Sequence, residues 1–205
     1  LLSKVDFENG CIDLNGKIYK LLDSNFPTVD PDDPTKLSDS EAELMGVLNN
    51  SFRHSRLLNE HIKFMFTRGG MYKICNGNVL YHGCIPMNED GSFRTVFTPD
   101  GEAHGKELLD KIEKVIRRAY FAPKDTAEKE TSSDYIWYLW GGKDSPLFGK
   151  DKMAFFERTF IGSSIPEAKE IFDPYYTLSQ NIDICKKLLA EFGLDPENGH
   201  IINGH

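Results

Sequence analysis

The chain has 205 residues, a length that fits one large domain or two small ones at about 100–200 residues per domain. Hydrophobic residues make up 40% of it, enough for a packed core, and its charges are mixed in sign, which argues against extensive disorder. The net charge of −8 argues against nucleic acid as a main partner, because phosphate backbones attract basic surfaces. A small anionic substrate is still compatible with this net charge, because a bound metal or a few local Lys and Arg side chains can make the binding site positive.

The cysteines indicate the cellular compartment, and the chain ends indicate whether the polypeptide is whole. The four cysteines are widely spaced and form no CxxC pair, so we expect reduced thiols in a cytoplasmic protein; they are Cys11, Cys75, Cys84 and Cys185. No stretch approaches the length of a membrane span. The chain begins with Leu1 rather than Met and stops in an apolar run at His205, so we expect an internal fragment of a larger polypeptide.

The first part of the chain predicts a small antiparallel sheet followed by helix. Residues 5–22 read as a β-hairpin or small meander, and Asn15-Gly16 suits a two-residue turn because both positions need positive φ. Residues 23–37 are rich in proline and aspartate and form a connection. Ser38 followed by Glu41 is a capping box that opens a helical stretch to residue 68, either one long helix or a pair.

The remaining elements alternate between short strands and helices. Strands are predicted at 71–75, 79–82, 93–97 and 200–203. Helices are predicted at 105–120, 152–160 and 179–192, the last capped by Ser179. Residues 122–134 are polar and predicted to be exposed. The fold class is α/β or α+β, and the order of elements alone does not decide between them.

Two predicted strands end in the same way, with a histidine beside a glycine. An apolar strand at 79–81 ends in His82-Gly83, and an apolar strand at 200–203 ends in Gly204-His205. Ligands in α/β folds gather where strands end, and glycine lets backbone approach a ligand closely. Neutral imidazole is a common ligand for divalent transition metals, so His82 and His205 are candidate metal ligands. An ordinary hydrogen-bonded histidine is the alternative at either position.

The glycine-rich loop at 141–151 is a second candidate site. It does not fit a nucleotide P-loop, because six residues separate Gly142 from Gly149 and an aspartate stands where Ser or Thr is needed. Lys143, Ser145 and Lys150 are nevertheless donors that could bind a sugar phosphate. The alternative is a surface loop with solvated lysines.

Long strings along the whole chain, in the right order, resemble class III (Firmicutes-type) fructose-1,6-bisphosphatases. They lie at 22–31, 77–93, 118–123, 145–153 and 191–205. That family belongs to the calcineurin-like metallophosphoesterases. The resemblance therefore implies an α/β fold, a partial metallophosphoesterase β-sandwich flanked by helices, with helical insertions.

The resemblance also assigns roles to residues. His82 in His-Gly-Cys and His205 in Asn-Gly-His match metal-ligand histidines of the superfamily. It implies a two-metal site, with Mn²⁺ as the metal, completed by residues outside this chain. The superfamily's upstream carboxylate motifs, Asp-x-His, Gly-Asp-x-x-Asp and Gly-Asn-His-Glu/Asp, are absent here, so the chain alone is expected to be essentially inactive.

We therefore expect the intact protein to hydrolyse the 1-phosphate of fructose 1,6-bisphosphate in gluconeogenesis, with a sugar bisphosphate as partner and neither nucleic acid nor membrane. The segments expected are a hairpin and connection at 1–37, a helical segment at 38–70 and the C-terminal part of the catalytic core at 71–205, with an insertion near 100–135. Two alternatives stay open: a protein phosphatase of the same superfamily, and a non-catalytic regulatory or oligomerisation fragment. Homo-oligomers and metabolite effectors are compatible with each.

Overall fold

The structure is a computed structural model that describes residues 1–205. Eight short strands and seven α-helices give a mixed α/β architecture, which confirms the α/β expectation at this level. The chain divides into two compact units. Unit 1 comprises Leu1–Ile62 and Ala154–Lys169, and unit 2 comprises Lys63–Met153 and Glu170–His205.

Unit 1 contains the predicted meander. Strands β1 (Val5–Asp6), β2 (Cys11–Leu14) and β3 (Lys17–Lys20) form an antiparallel sheet in that order. Asn15 and Gly16 have φ of 56° and 81°, the left-handed pair that the turn between β2 and β3 requires. A small core lies beside the sheet and contains Val5, Ile12, Leu14, Leu21 and Ile161.

The helical stretch is a pair rather than one long helix. Helix α1 (Asp39–His54) ends at Ser55, and α2 (Arg56–Arg68) follows at once. The capping box is confirmed: the Ser38 hydroxyl accepts from the Glu41 backbone N–H, and the Glu41 carboxylate accepts from the Ser38 backbone N–H. Neither helix buries a residue. Their stability therefore depends on local terms more than on a core.

Unit 2 is built around one mixed sheet. Strands β4 (Tyr72–Cys75), β5 (Asn78–Tyr81) and β8 (Ile201–Asn203) lie in that order, with β4 antiparallel and β8 parallel to β5. A separate hairpin pairs β6 (Val96–Thr98) with β7 (Gly101–Ala103). Its first strand lies later than the predicted 93–97, and β7 was not predicted.

The helices of unit 2 pack with the sheet around one hydrophobic core. They are α3 (Gly105–Phe121), α4 (Ala127–Gly141), α6 (Tyr175–Leu178) and α7 (Ile182–Glu191), whereas α5 (Phe155–Phe160) belongs to unit 1. The core joins Val79 and Tyr81 of β5 to side chains of α3 and α7, among them Leu108, Ile112 and Leu188. The opposite face of the sheet is more open: Ile202, on β8, is 51% exposed.

Three predictions for the helical regions need correction, for identifiable reasons. Residues 122–134, predicted to be polar and exposed, are mostly so, but they include the first part of α4, which Thr126 caps by accepting from the Lys129 N–H. The inner stripe of α4 includes Ser132, which is buried and donates to the Glu128 carbonyl, so the apolar period is interrupted there. Helix α7 begins after Asn181, whose amide oxygen accepts from the Asp183 N–H, rather than after Ser179. Helix α5 begins later than residue 152.

None of the helices is long and apolar enough to cross a membrane.

Since α1 buries no residue, its capping box should carry a measurable share of its stability. We expect Ser38→Ala to destabilise α1 by about 1 kcal/mol, because the Glu41 N–H loses its side-chain acceptor. Amide hydrogen exchange across α1 measures this. Ser40→Ala, in the first turn, is the matched control, and equal protection in the two variants would contradict the prediction.

Candidate metal centre and the adjoining loop

His82 and His205 meet at one edge of the unit 2 sheet. His82 directly follows β5, and His205 lies two residues after β8. These strands are parallel neighbours, with Tyr81 opposite Asn203, so their carboxyl ends lie side by side. The imidazole centroids are 5.0 Å apart, and both side chains are exposed.

Backbone hydrogen bonds fix the two strand ends together. The His82 carbonyl accepts from the N–H groups of Gly204 at 3.1 Å and His205 at 2.9 Å. The Asn203 side-chain amide donates to the Gly83 carbonyl at 3.0 Å. The two imidazoles therefore project from backbone that is already constrained.

The donor set of this chain fits part of a transition-metal site. Two imidazoles are suitable ligands for a divalent transition metal. No group of three or more His, Cys, Asp or Glu side chains in the chain is arranged to hold a metal ion. The chain by itself thus supplies two candidate ligands, fewer than the four or more such ions take.

The predicted phosphate loop lies directly against the end of β5. The Cys84 N–H donates to the Pro146 carbonyl at 2.9 Å. A Cβ on Gly83 would lie 2.2 Å from the Pro146 carbonyl oxygen, so only glycine permits this approach. Leu147 and His82 line the same open cleft, of about 670 Å³. The structure thus brings both sequence-predicted sites together.

The three loop residues singled out from the sequence have different surroundings. Lys143 is exposed. Ser145 is only 1% exposed, and its hydroxyl donates to the Leu139 carbonyl at 2.7 Å and accepts from the Leu147 N–H at 3.2 Å. The Lys150 ammonium lies 2.8 Å from a Glu170 carboxylate oxygen. A substrate role for these residues stays a prediction, while in this structure the Ser145 hydroxyl holds the loop.

An ion cluster that no sequence pattern predicted joins the 143–150 loop to other segments of unit 2. Arg94 bonds to the carboxylates of Asp144 and Asp173. Burial raises the pKa of the Asp173 carboxyl, opposed by the backbone N–H groups of Tyr175 and Met87 and by the charge of Arg94. Arg94 and Asp144 are 50 residues apart, so only a conserved polar pairing in related sequences could have indicated the contact.

Cys84 differs from the surface groups around it. Its side chain is buried, and burial, followed by the charge of Asp173, raises the pKa of the thiol. The thiol therefore stays protonated near neutral pH, and Cys84 acts as a small core residue rather than a nucleophile.

The close contact at Gly83 predicts that an alanine is tolerated less well there than at Gly204, the glycine beside the other histidine. Gly83→Ala should destabilise the chain by roughly 1–3 kcal/mol, because the added methyl group forces the Pro146 carbonyl away from β5. Gly204→Ala is the matched control, since no atom lies within 4 Å of a Cβ there. Urea denaturation of the two variants gives the comparison, and equal midpoints would contradict the prediction.

Comparison with known proteins places the whole chain in one family. The family described as Firmicute fructose-1,6-bisphosphatase matches residues 1–205. The class 3 fructose-1,6-bisphosphatase of Bacteroides fragilis is 51% identical over 205 residues, which are 100% of this chain and 31% of the relative. That of Clostridium acetobutylicum is 48% identical over 205 residues, again 100% and 31% of the two chains.

A third relative, the class 3 enzyme of Fusobacterium nucleatum, is 47% identical over 204 residues, covering 100% of this chain and 32% of the relative. No solved structure matches the chain. The chain spans about a third of the length of the curated relatives it matches. The match to the family extends over every residue described above, and the chain belongs to the Firmicute fructose-1,6-bisphosphatase family.

Proposed function

We propose that the intact protein containing this chain hydrolyses the 1-phosphate of fructose 1,6-bisphosphate in a metal-dependent reaction of gluconeogenesis. The observation that carries the proposal is the pairing of His82 with His205, whose imidazole centroids lie 5.0 Å apart at the ends of parallel strands, beside the loop that carries Lys143 and Lys150. The identity of the relatives as class 3 fructose-1,6-bisphosphatases supports the choice of substrate.

His82 and His205 would hold a divalent metal, for which we propose Mn²⁺, in a two-metal site completed by other parts of the longer polypeptide. When bound, such metals lower the pKa of a bound water and stabilise the phosphate oxygens during attack and departure. Neither imidazole hydrogen-bonds within the chain, so both are available as ligands.

The loop at 143–150 would face the phosphate of the substrate. Lys143 is exposed and can turn its ammonium group toward an anion, and Lys150 can share its charge between Glu170 and a phosphate. Ser145 would act by keeping the loop in shape through the Leu139 carbonyl. The closeness of Pro146 to Gly83 would keep these groups near the metal ligands.

Within the mixed α/β architecture, we propose that the sheet of unit 2 is one of the two sheets of a metallophosphoesterase β-sandwich. One face of that sheet packs with the helices, while the other face carries Leu80 and the exposed Ile202 as cross-strand neighbours. An open face with apolar side chains suits the inner side of a two-sheet sandwich. We place the protein in the cytoplasm, in keeping with four free cysteines. Homo-oligomers and metabolite effectors stay predictions.

The full-length protein tests the proposal. We expect phosphate release from fructose 1,6-bisphosphate that requires Mn²⁺, and a loss of more than about 100-fold in His82→Ala, since losing even an outer-shell partner costs about 10–100-fold. The matched control is His200→Ala, because His200 is also exposed but bonds to Asn78. The chain of 205 residues alone should be essentially inactive.

Two results would contradict the proposal. One is a folded, Mn²⁺-loaded full-length protein that leaves fructose 1,6-bisphosphate intact but dephosphorylates a phosphopeptide, which would favour a protein phosphatase. The other is equal activity of His82→Ala and His200→Ala, which would remove His82 from the metal centre.

A further inference from the structure

Arg94 lies where three segments of unit 2 meet. One guanidinium nitrogen lies 2.5 Å from an Asp144 carboxylate oxygen and 3.2 Å from an Asp173 oxygen, and the other donates to the Met87 carbonyl at 2.6 Å. Met87 belongs to the segment that follows His82, Asp144 to the 143–150 loop, and Asp173 to the segment before α6. A planar guanidinium can serve three acceptors at once, which an ammonium group cannot do with the same geometry.

One side of this cluster is rigid. Met87 is fully buried, and the Asp173 side chain is only 5% exposed. The Asp173 carboxylate also accepts from the N–H groups of Met87 at 3.1 Å and Tyr175 at 2.9 Å. The Met87 carbonyl and the Asp173 carboxylate therefore hold Arg94 against the core, independently of its contact with the loop.

The other side of the cluster is the loop itself. Asp144 has φ of 64°, in the left-handed region that few residues adopt. Its carboxylate is held by Arg94, and its neighbours in the chain are Lys143 and Ser145. The contact with Arg94 thus favours one conformation of the loop in which the exposed lysine stands.

We propose that Arg94 is a positioning residue that fixes the 143–150 loop, through Asp144, for binding the substrate phosphate. The proposal rests on the proposed phosphatase function, because that function gives the loop its substrate. Arg94 itself touches the loop and the core, and acts on substrate only through them.

Arg118 provides a closely matched control. Its guanidinium bonds to Asp100 at 2.6 Å and to the Ser132 hydroxyl at 2.9 Å. The Arg118 and Asp100 side chains are 25% and 28% exposed, against 26% for both Arg94 and Asp144. The two arginines are thus similarly exposed, but only Arg94 contacts the loop and pairs with the buried Asp173. Asp144→Asn, which leaves the Arg94–Asp173 pair in place, is therefore the variant closest to Arg118→Gln in expected stability.

The experiment uses the full-length protein and its variants Arg94→Gln, Arg94→Lys, Asp144→Asn and Arg118→Gln. Arg94→Gln and Asp144→Asn should raise KM for fructose 1,6-bisphosphate about tenfold, because a loop held less firmly positions its lysines less accurately for the substrate phosphate. The KM of Arg94→Lys should lie between those of the wild-type protein and Arg94→Gln, since lysine keeps the positive charge but not the planar guanidinium that bonds to several acceptors. Arg118→Gln should leave KM unchanged. Mn²⁺ binding, followed by electron paramagnetic resonance, should be equal in all of them.

Trypsin provides a readout that needs no activity. Cleavage after Lys143 should be faster in Arg94→Gln than in Arg118→Gln at equal melting temperature. Equal KM values and equal cleavage rates in these two variants would overturn the inference. If Arg94→Gln does not fold, Asp144→Asn, which leaves the core side of the cluster intact, carries the same comparison. A wild-type protein that spares fructose 1,6-bisphosphate would overturn the proposed function, and the cleavage rates would still decide the role of Arg94.

Discussion

The parallel pairing of β5 with β8 is the constraint on which the candidate site depends. It joins strands more than a hundred residues apart in the chain, with the N–H of His200 bonded to Asn78 across 122 positions. Parallel strands end at the same edge of a sheet, so each histidine reaches the site simply by following its strand. The shared acceptor, the His82 carbonyl, then fixes the relative position of the two strand ends.

Close packing extends the site from two histidines to a loop. Gly83 lets the Pro146 carbonyl come within bonding distance of the backbone, which a side chain at that position would prevent. The loop is held on its other side by Ser145 and by the ion cluster around Arg94. Polar groups of this kind need complete sets of partners when they are buried, and here the same partners give the loop one shape.

Local patterns predicted much of the fold, because the forces behind them act between near neighbours. Asn15-Gly16 and the capping box at Ser38 depend on a few adjacent residues, and both appear as expected. The two histidines could be singled out as candidates because each stands at the end of an apolar run beside a glycine. The ion cluster could not, since Arg94 carries no sign of which distant carboxylate it meets. Helix α4 was missed because a buried serine broke its apolar period.

The distance in sequence between β5 and β8 has a consequence for how the protein is made. At about 5–20 residues per second, a ribosome takes on the order of 10 s to add the residues that separate them. During that time β5 pairs only with β4, and its second edge has unpaired N–H and C=O groups that another chain could bind. Contacts between such distant segments also form slowly. The two histidines therefore come together only after the residues between β5 and β8 have been made, and until then the free edge of β5 is open to pairing with another chain.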